Sequence, residues 1–197
     1  MIVERVINSI FTSNTYLLHE DGGLDYWLVD IGDIDPVLAL LPEGAKVQGL
    51  LLTHTHYDHM YGINRLVSLF PDCLVYTSEH GREGLYSDKL NNSRYHYDKL
   101  VYSREDNVRV LCEGDLVPLW PGCDAEVYET PGHDWSCLVY RVGSSVFSGD
   151  SFLPGIKVTA LFPKSDKTKA VASEQRIRAL SSGRMVYPGH GESSMID

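Results

Sequence analysis

Hydrophobic residues along the chain recur in short runs, and many of these runs alternate with polar residues. Such alternation predicts a strand with one buried face, whereas a short continuous apolar run predicts a strand that is buried on both faces. The patterns predict strands at residues 2–7, 15–20, 26–30, 47–53, 74–77, 107–111, 125–130, 137–142, 145–148 and 185–187. So many short strands indicate two sheets.

Helical periodicity occurs between several of these strands, where apolar residues recur every three or four positions. The predicted helices cover residues 36–41, 59–70, 78–91 and 169–180. Strands that are interleaved with helices favour an α/β layered architecture over a β-sandwich. A chain of 197 residues is long enough to bury one sizeable core, so we predict a single domain at 1–197.

Side chains of the kind that bind metals follow four of the predicted strands. Four of them stand within the segment HTHYDH, a density that no strand or helix face requires. Histidine together with carboxylate is the ligand set of Zn²⁺, Mn²⁺ or iron, whereas Mg²⁺ and Ca²⁺ prefer mostly oxygen ligands. We therefore predict one metal cage, built from His54, His56, Asp58, His59, His133, Asp150 and His190.

The motifs HTHYDH, TPGH, SGD and YPGH occur in that order and span nearly the whole chain. Together with the upstream segments NTYL and LVDIGD, they resemble the motif series of the metallo-β-lactamase superfamily, especially its glyoxalase II-like members. The resemblance implies a four-layer αββα sandwich and two divalent metal ions, with zinc as the first choice and iron or manganese as alternatives.

The resemblance also implies a role for each ligand. His54, His56 and His133 would hold one ion, Asp58, His59 and His190 would hold the other, and Asp150 would bridge both. The implied activity is that of a metal-dependent hydrolase resembling hydroxyacylglutathione hydrolase. A hydroxide bound between the two ions would attack a small thioester, ester or lactone. Asp58 would act in catalysis by orienting that hydroxide.

Several positions depart from relatives of the same superfamily. Asp150 stands where the best-known zinc β-lactamases have cysteine, and His56 stands where flavodiiron proteins have glutamate. After His133 the sequence reads Asp134-Trp135-Ser136, where Thr-x-Gly is common in glyoxalase II. The sequence ends shortly after His190, so we expect no helical carboxy-terminal domain of the kind that helps glyoxalase II to bind glutathione.

Two other activities of the same fold stay open at this point. One is a persulfide dioxygenase with a single iron, and the other is a phosphodiesterase or nuclease. The net charge of −10 argues against a nucleic-acid partner, because clustered lysine and arginine drive phosphate binding. We expect a small acyl substrate as the partner and leave the oligomeric state open.

The chain also carries indications of its location. Glu4 and Arg5 interrupt the amino-terminal apolar stretch, and no longer apolar run follows. We therefore expect no signal peptide, no membrane association and a cytoplasmic location.

Residues outside the motifs supply further candidates. Asp30 is predicted either to accept a hydrogen bond from a metal-binding imidazole or to cap the turn at Gly32. The aromatic segment 78–106 forms either a lid over the metals or ordinary surface, and Tyr95 and Tyr97 are its candidate substrate contacts. Lys157 opens a lysine-rich loop that either binds an anionic group or is merely solvated.

Overall fold

The computed structural model describes residues 1–196, so the final residue of the predicted 1–197 domain lies outside the described part. Two six-stranded sheets form the centre of the molecule. The first contains, in spatial order, β1 (Ile2–Ile7), β2 (Asn14–His19), β3 (Asp25–Val29), β4 (Lys46–Leu51), β5 (Leu74–Thr77) and β6 (Val108–Val110). Its first three strands pair antiparallel, and β3 to β6 pair parallel.

The second sheet runs in the reverse of chain order. From its far edge it contains β12 (Ser194–Ile196), β11 (Arg184–Pro188), β10 (Ser145–Gly149), β9 (Leu138–Val142), β8 (Cys123–Glu129) and β7 (Leu116–Trp120). All of its neighbouring strands pair antiparallel except β10 and β11, which run parallel. The helix α4 (Lys167–Ser181) provides the crossover between those two parallel strands.

Alternation along the strands divides the apolar residues between separate layers of the core. Leu28 of β3 joins a cluster with the helices α1 (Ile34–Leu40), α2 (Ile63–Leu69) and α3 (Glu79–Leu85). Its neighbours Trp27 and Val29 point to the other face, where they pack against residues of the second sheet. On the far side of that sheet, Ile177 of α4 packs in a third cluster. The order of layers is helix, sheet, sheet, helix, which confirms the predicted αββα fold.

The sequence patterns do not predict two of the strands, β7 and β12. β7 contains Pro118, and a proline inside an apolar run argues against a central strand because its nitrogen cannot donate to a neighbour. The structure places β7 at the edge of its sheet, where a proline is tolerated. β12 has only three residues, which is too short for an alternation to be visible.

Two predicted helices are shorter than expected. The 59–70 helix begins only at Ile63, after a separate 3₁₀ turn at Tyr57–His59. Between them, the carbonyl of His59 and the amide of Gly62 form hydrogen bonds with the backbone of Ile31, in the loop after β3, instead of continuing a helix. The 78–91 helix ends at Leu85, whose carbonyl accepts a hydrogen bond from the amide of Tyr102.

Within residues 1–196, every helix falls short of the length and apolarity needed to cross a bilayer.

Candidate metal centre

The loops that follow four strands meet at one edge of the two sheets. The loop after β4 includes the 3₁₀ turn at Tyr57–His59, which packs four of the predicted ligands closely together. The loops after β8, β10 and β11 each add one more. The seven side chains brought together are those of His54, His56, Asp58, His59, His133, Asp150 and His190.

The seven side chains form three overlapping groups, and within each group the potential ligand atoms lie within 4.8 Å of one another. The groups are His54 with His56 and His133, His54 with His59 and Asp150, and Asp58 with His59 and His190. The first and third groups coincide with the two ligand sets that the family resemblance implies.

Asp150 lies between the two sets. Its Oδ2 is 3.5 Å from Nε2 of His133 and 3.4 Å from Nε2 of His190. Its Oδ1 is 3.5 Å from Nε2 of His59. The close approach depends on Gly189, because a side chain there would overlap the Asp150 carboxylate. This carboxylate is therefore positioned to serve both sets at once.

The donor atoms fit divalent metal ions. Among the described residues, Nε2 of His54 and Oδ1 of Asp150 are buried and have no hydrogen-bond partner. A buried polar atom without a partner costs about 1–3 kcal/mol, so proteins seldom retain one without a reason. Imidazole nitrogen and carboxylate oxygen are the donors that Zn²⁺, Mn²⁺ and iron accept, and bound ions would satisfy these atoms.

Hydrogen bonds on the outer side of three imidazoles determine which nitrogen faces the cluster. Nδ1 of His133 donates to the carbonyl of Thr159 at 2.7 Å, and Nδ1 of His190 donates to the carbonyl of Phe11 at 3.0 Å. A carbonyl oxygen only accepts, so each ring keeps its proton on Nδ1 and presents Nε2 to the cluster. His59 is held in the same way, because its Nδ1 lies 2.9 Å from Oδ2 of Asp30.

Asp30 is linked to both ligand sets, directly to His59 and through Thr53 to His54. Besides His59, it accepts hydrogen bonds from the backbone amide and the hydroxyl of Thr53. The Thr53 hydroxyl in turn lies 3.1 Å from Nδ1 of His54. The alternative role of capping Gly32 is wrong, because the amide of Gly32 donates to the hydroxyl of Thr15.

Asp134 is a functional candidate that sequence reasoning missed. The residue is buried, and its Oδ2 lies 3.6 Å from Nε2 of His56, whose Nδ1 faces His133 at 3.0 Å. Burial opposes ionisation of Asp134, but His56 and Ser136 outweigh it and lower the pKa of the carboxyl. The available signal was the departure from Thr-x-Gly directly after His133.

The electrostatic environment differs between the two ligand sets. Burial lowers the pKa of His54 well below its usual value and also lowers the pKa of His133. Burial acts in the same direction on His59 and His190, but the carboxylates of Asp58 and Asp150 outweigh it. The pKa of His59 is raised to about 9 and that of His190 to about 10.

We expect the affinity of the second ligand set for a metal to depend more steeply on pH than that of the first. Because their pKa values are raised, the imidazoles of His59 and His190 hold a second proton at neutral pH, and an incoming ion must displace it. The lowered pKa values of His54 and His133 leave those two imidazoles neutral at pH 7. Each displaced proton lowers the affinity by about tenfold per pH unit of acidification. Stepwise Co²⁺ titrations at about pH 6.5, 7.5 and 8.5 would measure this, and equal slopes for the two ions would contradict it.

A cavity of about 600 Å³ opens over the cluster. Tyr95 and Lys157 line it, as their predicted role requires. Tyr97 is fully exposed and lies outside the lining, so its assignment as a substrate contact is withdrawn. His96 lines the cavity instead and packs against the ring of Tyr57 with 4.4 Å between ring centroids. One side of the 78–106 segment therefore forms part of the cavity wall.

Comparison with known proteins gives matches over the same region. The family model described as "Metallo-beta-lactamase superfamily" matches residues 11–190. A probable metallo-hydrolase of Streptococcus pyogenes serotype M6 is 29% identical over all of this chain and 86% of its own length. Hydroxyacylglutathione hydrolase of Aeromonas hydrophila is 30% identical over 83% of this chain, and the match covers 56% of that enzyme.

Solved structures agree with the fold. The structure of BLEG-1 B3 metallo-beta-lactamase superposes with a TM-score of 0.89 and 24% identity, over 99% of this chain and 94% of that one. The structure of TTHA1623 in a di-iron-bound form gives a TM-score of 0.84 and 27% identity, over 98% of this chain and 95% of that one. The match of the family model confirms the family resemblance expected from the motifs.

Proposed function

Because this chain belongs to the metallo-β-lactamase superfamily and is a metal-dependent hydrolase, we propose that it cleaves a small thioester, ester or lactone with the help of two divalent ions. The observation that carries the proposal is the position of Asp150 between two groups of histidines. Zinc is our first choice of metal. The di-iron form of TTHA1623 supports a two-ion site and keeps iron as an alternative.

In this proposal each residue of the cluster has a role. His54, His56 and His133 would hold one ion, Asp58, His59 and His190 would hold the other, and Asp150 would serve both. Bound divalent ions supply a Lewis acid for the substrate carbonyl and lower the pKa of water toward neutrality.

Asp58 is the proposed catalytic carboxylate. Burial opposes its ionisation, but His59 and His190 outweigh that effect and lower the pKa of the carboxyl. Its Oδ2 lies 3.3 Å from Nε2 of His190, and the residue also lines the cavity. An ionised carboxylate at this position accepts a hydrogen bond from the attacking water and orients it toward the substrate.

The cavity favours a small acyl compound. Its wall is largely apolar, with Phe11, Leu153, Ile156, Leu161 and Phe162 around the cluster. Such side chains hold an acyl group and exclude bulk water from the reacting carbonyl. Tyr95 and Lys157 also line the cavity, and in this proposal they contact the polar part of the substrate. The name of the Aeromonas relative supports a substrate resembling hydroxyacylglutathione.

Other properties of the chain support the expected partner and location. The net charge of −10 disfavours a nucleic-acid substrate. The four cysteines are free thiols, which is typical of proteins in a reducing cytoplasm. We therefore propose a cytoplasmic enzyme of small-molecule metabolism.

A substrate panel tests this function. Metal-replete protein should hydrolyse at least one of S-lactoylglutathione, a simple thioester and a lactone, in preference to a β-lactam or a phosphodiester. Chelation should abolish the activity, and readdition of metal should restore it. Turnover of the phosphodiester alone, or oxygen consumption with a persulfide and no hydrolysis, would contradict the proposal.

A further inference from the structure

A smaller cavity, called the side arm below, adjoins the main cavity next to the first ligand set. It has a volume of about 230 Å³ and begins at His56. The side arm and the main cavity share the residues His56, Asn92, Tyr95, Phe162 and Pro163. The shared residues place the side arm directly beside the part of the main cavity that His56 lines.

Two lysines, Lys89 and Lys164, line the side arm but not the main cavity. Across residues 1–196, ion pairs with carboxylates are formed by arginine and histidine, and neither of these lysines takes part in one. The single carboxylate in the side arm, that of Asp134, is engaged by Ser136 and faces His56. Both lysines are exposed, and together they give one pocket a local positive charge in a chain whose net charge is −10, which favours an anionic ligand there.

Lys164 is held in place by an aromatic stack. Its Nζ lies 3.9 Å from the ring centroid of Trp135, and the ring of His80 stacks on the same indole at 4.0 Å. This cation–π contact limits the freedom of a side chain that otherwise loses much rotamer entropy when it binds a ligand. The contact with Trp135 therefore partly pre-organises the ammonium group of a lysine that lines the side arm.

We propose that the side arm binds a carboxylate or phosphate group carried by the substrate, with Lys89 and Lys164 as its cationic partners. The inference rests on the proposed hydrolytic function and narrows it to anionic acyl compounds. The proposal also distinguishes the side arm, lined by Lys89 and Lys164, from the lysine of the main cavity, because Lys157 lines the main cavity but not the side arm.

Matched thioesters test the inference. The acetyl thioester of 3-mercaptopropionate carries a carboxylate, and the thioester of the corresponding amide is neutral and nearly the same shape. A succinyl thioester of a neutral thiol places the charge on the acyl group, and a phosphorylated thiol tests phosphate. We expect kcat/KM for at least one anionic compound to exceed that of its neutral counterpart by about tenfold, mainly through KM.

The charge preference should disappear in the double variant Lys89→Gln/Lys164→Gln. The control is Lys99→Gln, which removes one charge at an exposed residue outside both cavities, in the same 78–106 segment as Lys89. This variant should keep the wild-type ratio of kcat/KM between the anionic and the neutral thioester. An unchanged ratio in the double variant, or no preference in the wild type, would overturn the inference.

Tryptophan fluorescence provides a readout that does not depend on turnover. Trp135 lies beside Lys164, whereas Trp27 and Trp120 are buried elsewhere in the core. Titration with succinate or inorganic phosphate should change the emission saturably, and Trp135→Phe or Lys164→Gln should remove that change. If no thioester is hydrolysed but the titration behaves as expected, the hydrolytic function fails and the anion site stands. Hydrolysis without a saturable change at any anion concentration contradicts the anion site alone.

Discussion

Asp150→Ala should abolish hydrolysis, with a loss of turnover on the order of 10³-fold or more. Asp150 contacts histidines of both ligand sets, through His133 and His190 on one oxygen and His59 on the other. Its removal takes a shared anionic ligand from both ions. The metal content should therefore fall together with the activity.

The matched control is Asp124→Ala, which removes an exposed carboxylate from β8 far from the cluster and should leave activity and metal content unchanged. Circular dichroism and thermal unfolding of both variants would separate the loss of a ligand from the loss of the fold. Wild-type turnover by folded Asp150→Ala protein would contradict the assignment of this residue.

Asp30→Ala should weaken the binding of both ions by about 10–100-fold, although Asp30 is assigned to neither ligand set. Its carboxylate orients His59 directly, and the Thr53 hydroxyl connects it to His54. The substitution also leaves the buried amide of Thr53 without an acceptor, so the free energy of unfolding should fall by about 1–3 kcal/mol.

Asp134→Ala is the informative comparison for this effect. Asp134 faces His56, which belongs to the first ligand set alone, so its removal should weaken one ion and spare the other. Stepwise metal titration of the two variants would distinguish an effect on both ions from an effect on one. Wild-type metal affinity in destabilised Asp30→Ala protein would leave Asp30 with a purely structural role.

Much of the architecture could be predicted because the strands alternate cleanly. In LVD, residues 28–30, Leu28 packs toward the helices and Val29 toward the other sheet, as a period of two requires. The seven predicted ligands come together because each follows the end of a strand, and those strand ends share one edge of the sandwich. Local sequence patterns therefore indicate both which face of a sheet a residue points to and which side chains meet at the metal site.

What escaped prediction depends on contacts between residues that are distant in sequence. The pairing of Asp134 with His56, which lie 78 positions apart in the sequence, leaves no periodic signal, and only an unusual residue after a motif pointed to it. The choice between His96 and Tyr97 as cavity residues depends on the path of one irregular segment, which propensity does not determine. The edge strand β7 was missed because Pro118 reads as a break unless its position at an edge is known.

The most direct test of the two-ion account is the metal content of the purified protein, measured beside its hydrolytic activity. Elemental analysis after expression with ample zinc, iron and manganese should give close to two transition-metal ions per chain in the active preparation. Activity should rise with occupancy as chelated protein is reconstituted, because both ligand sets are complete and Asp150 is shared between them. Full hydrolytic activity at a reproducible content of about one ion or fewer per chain would contradict the account.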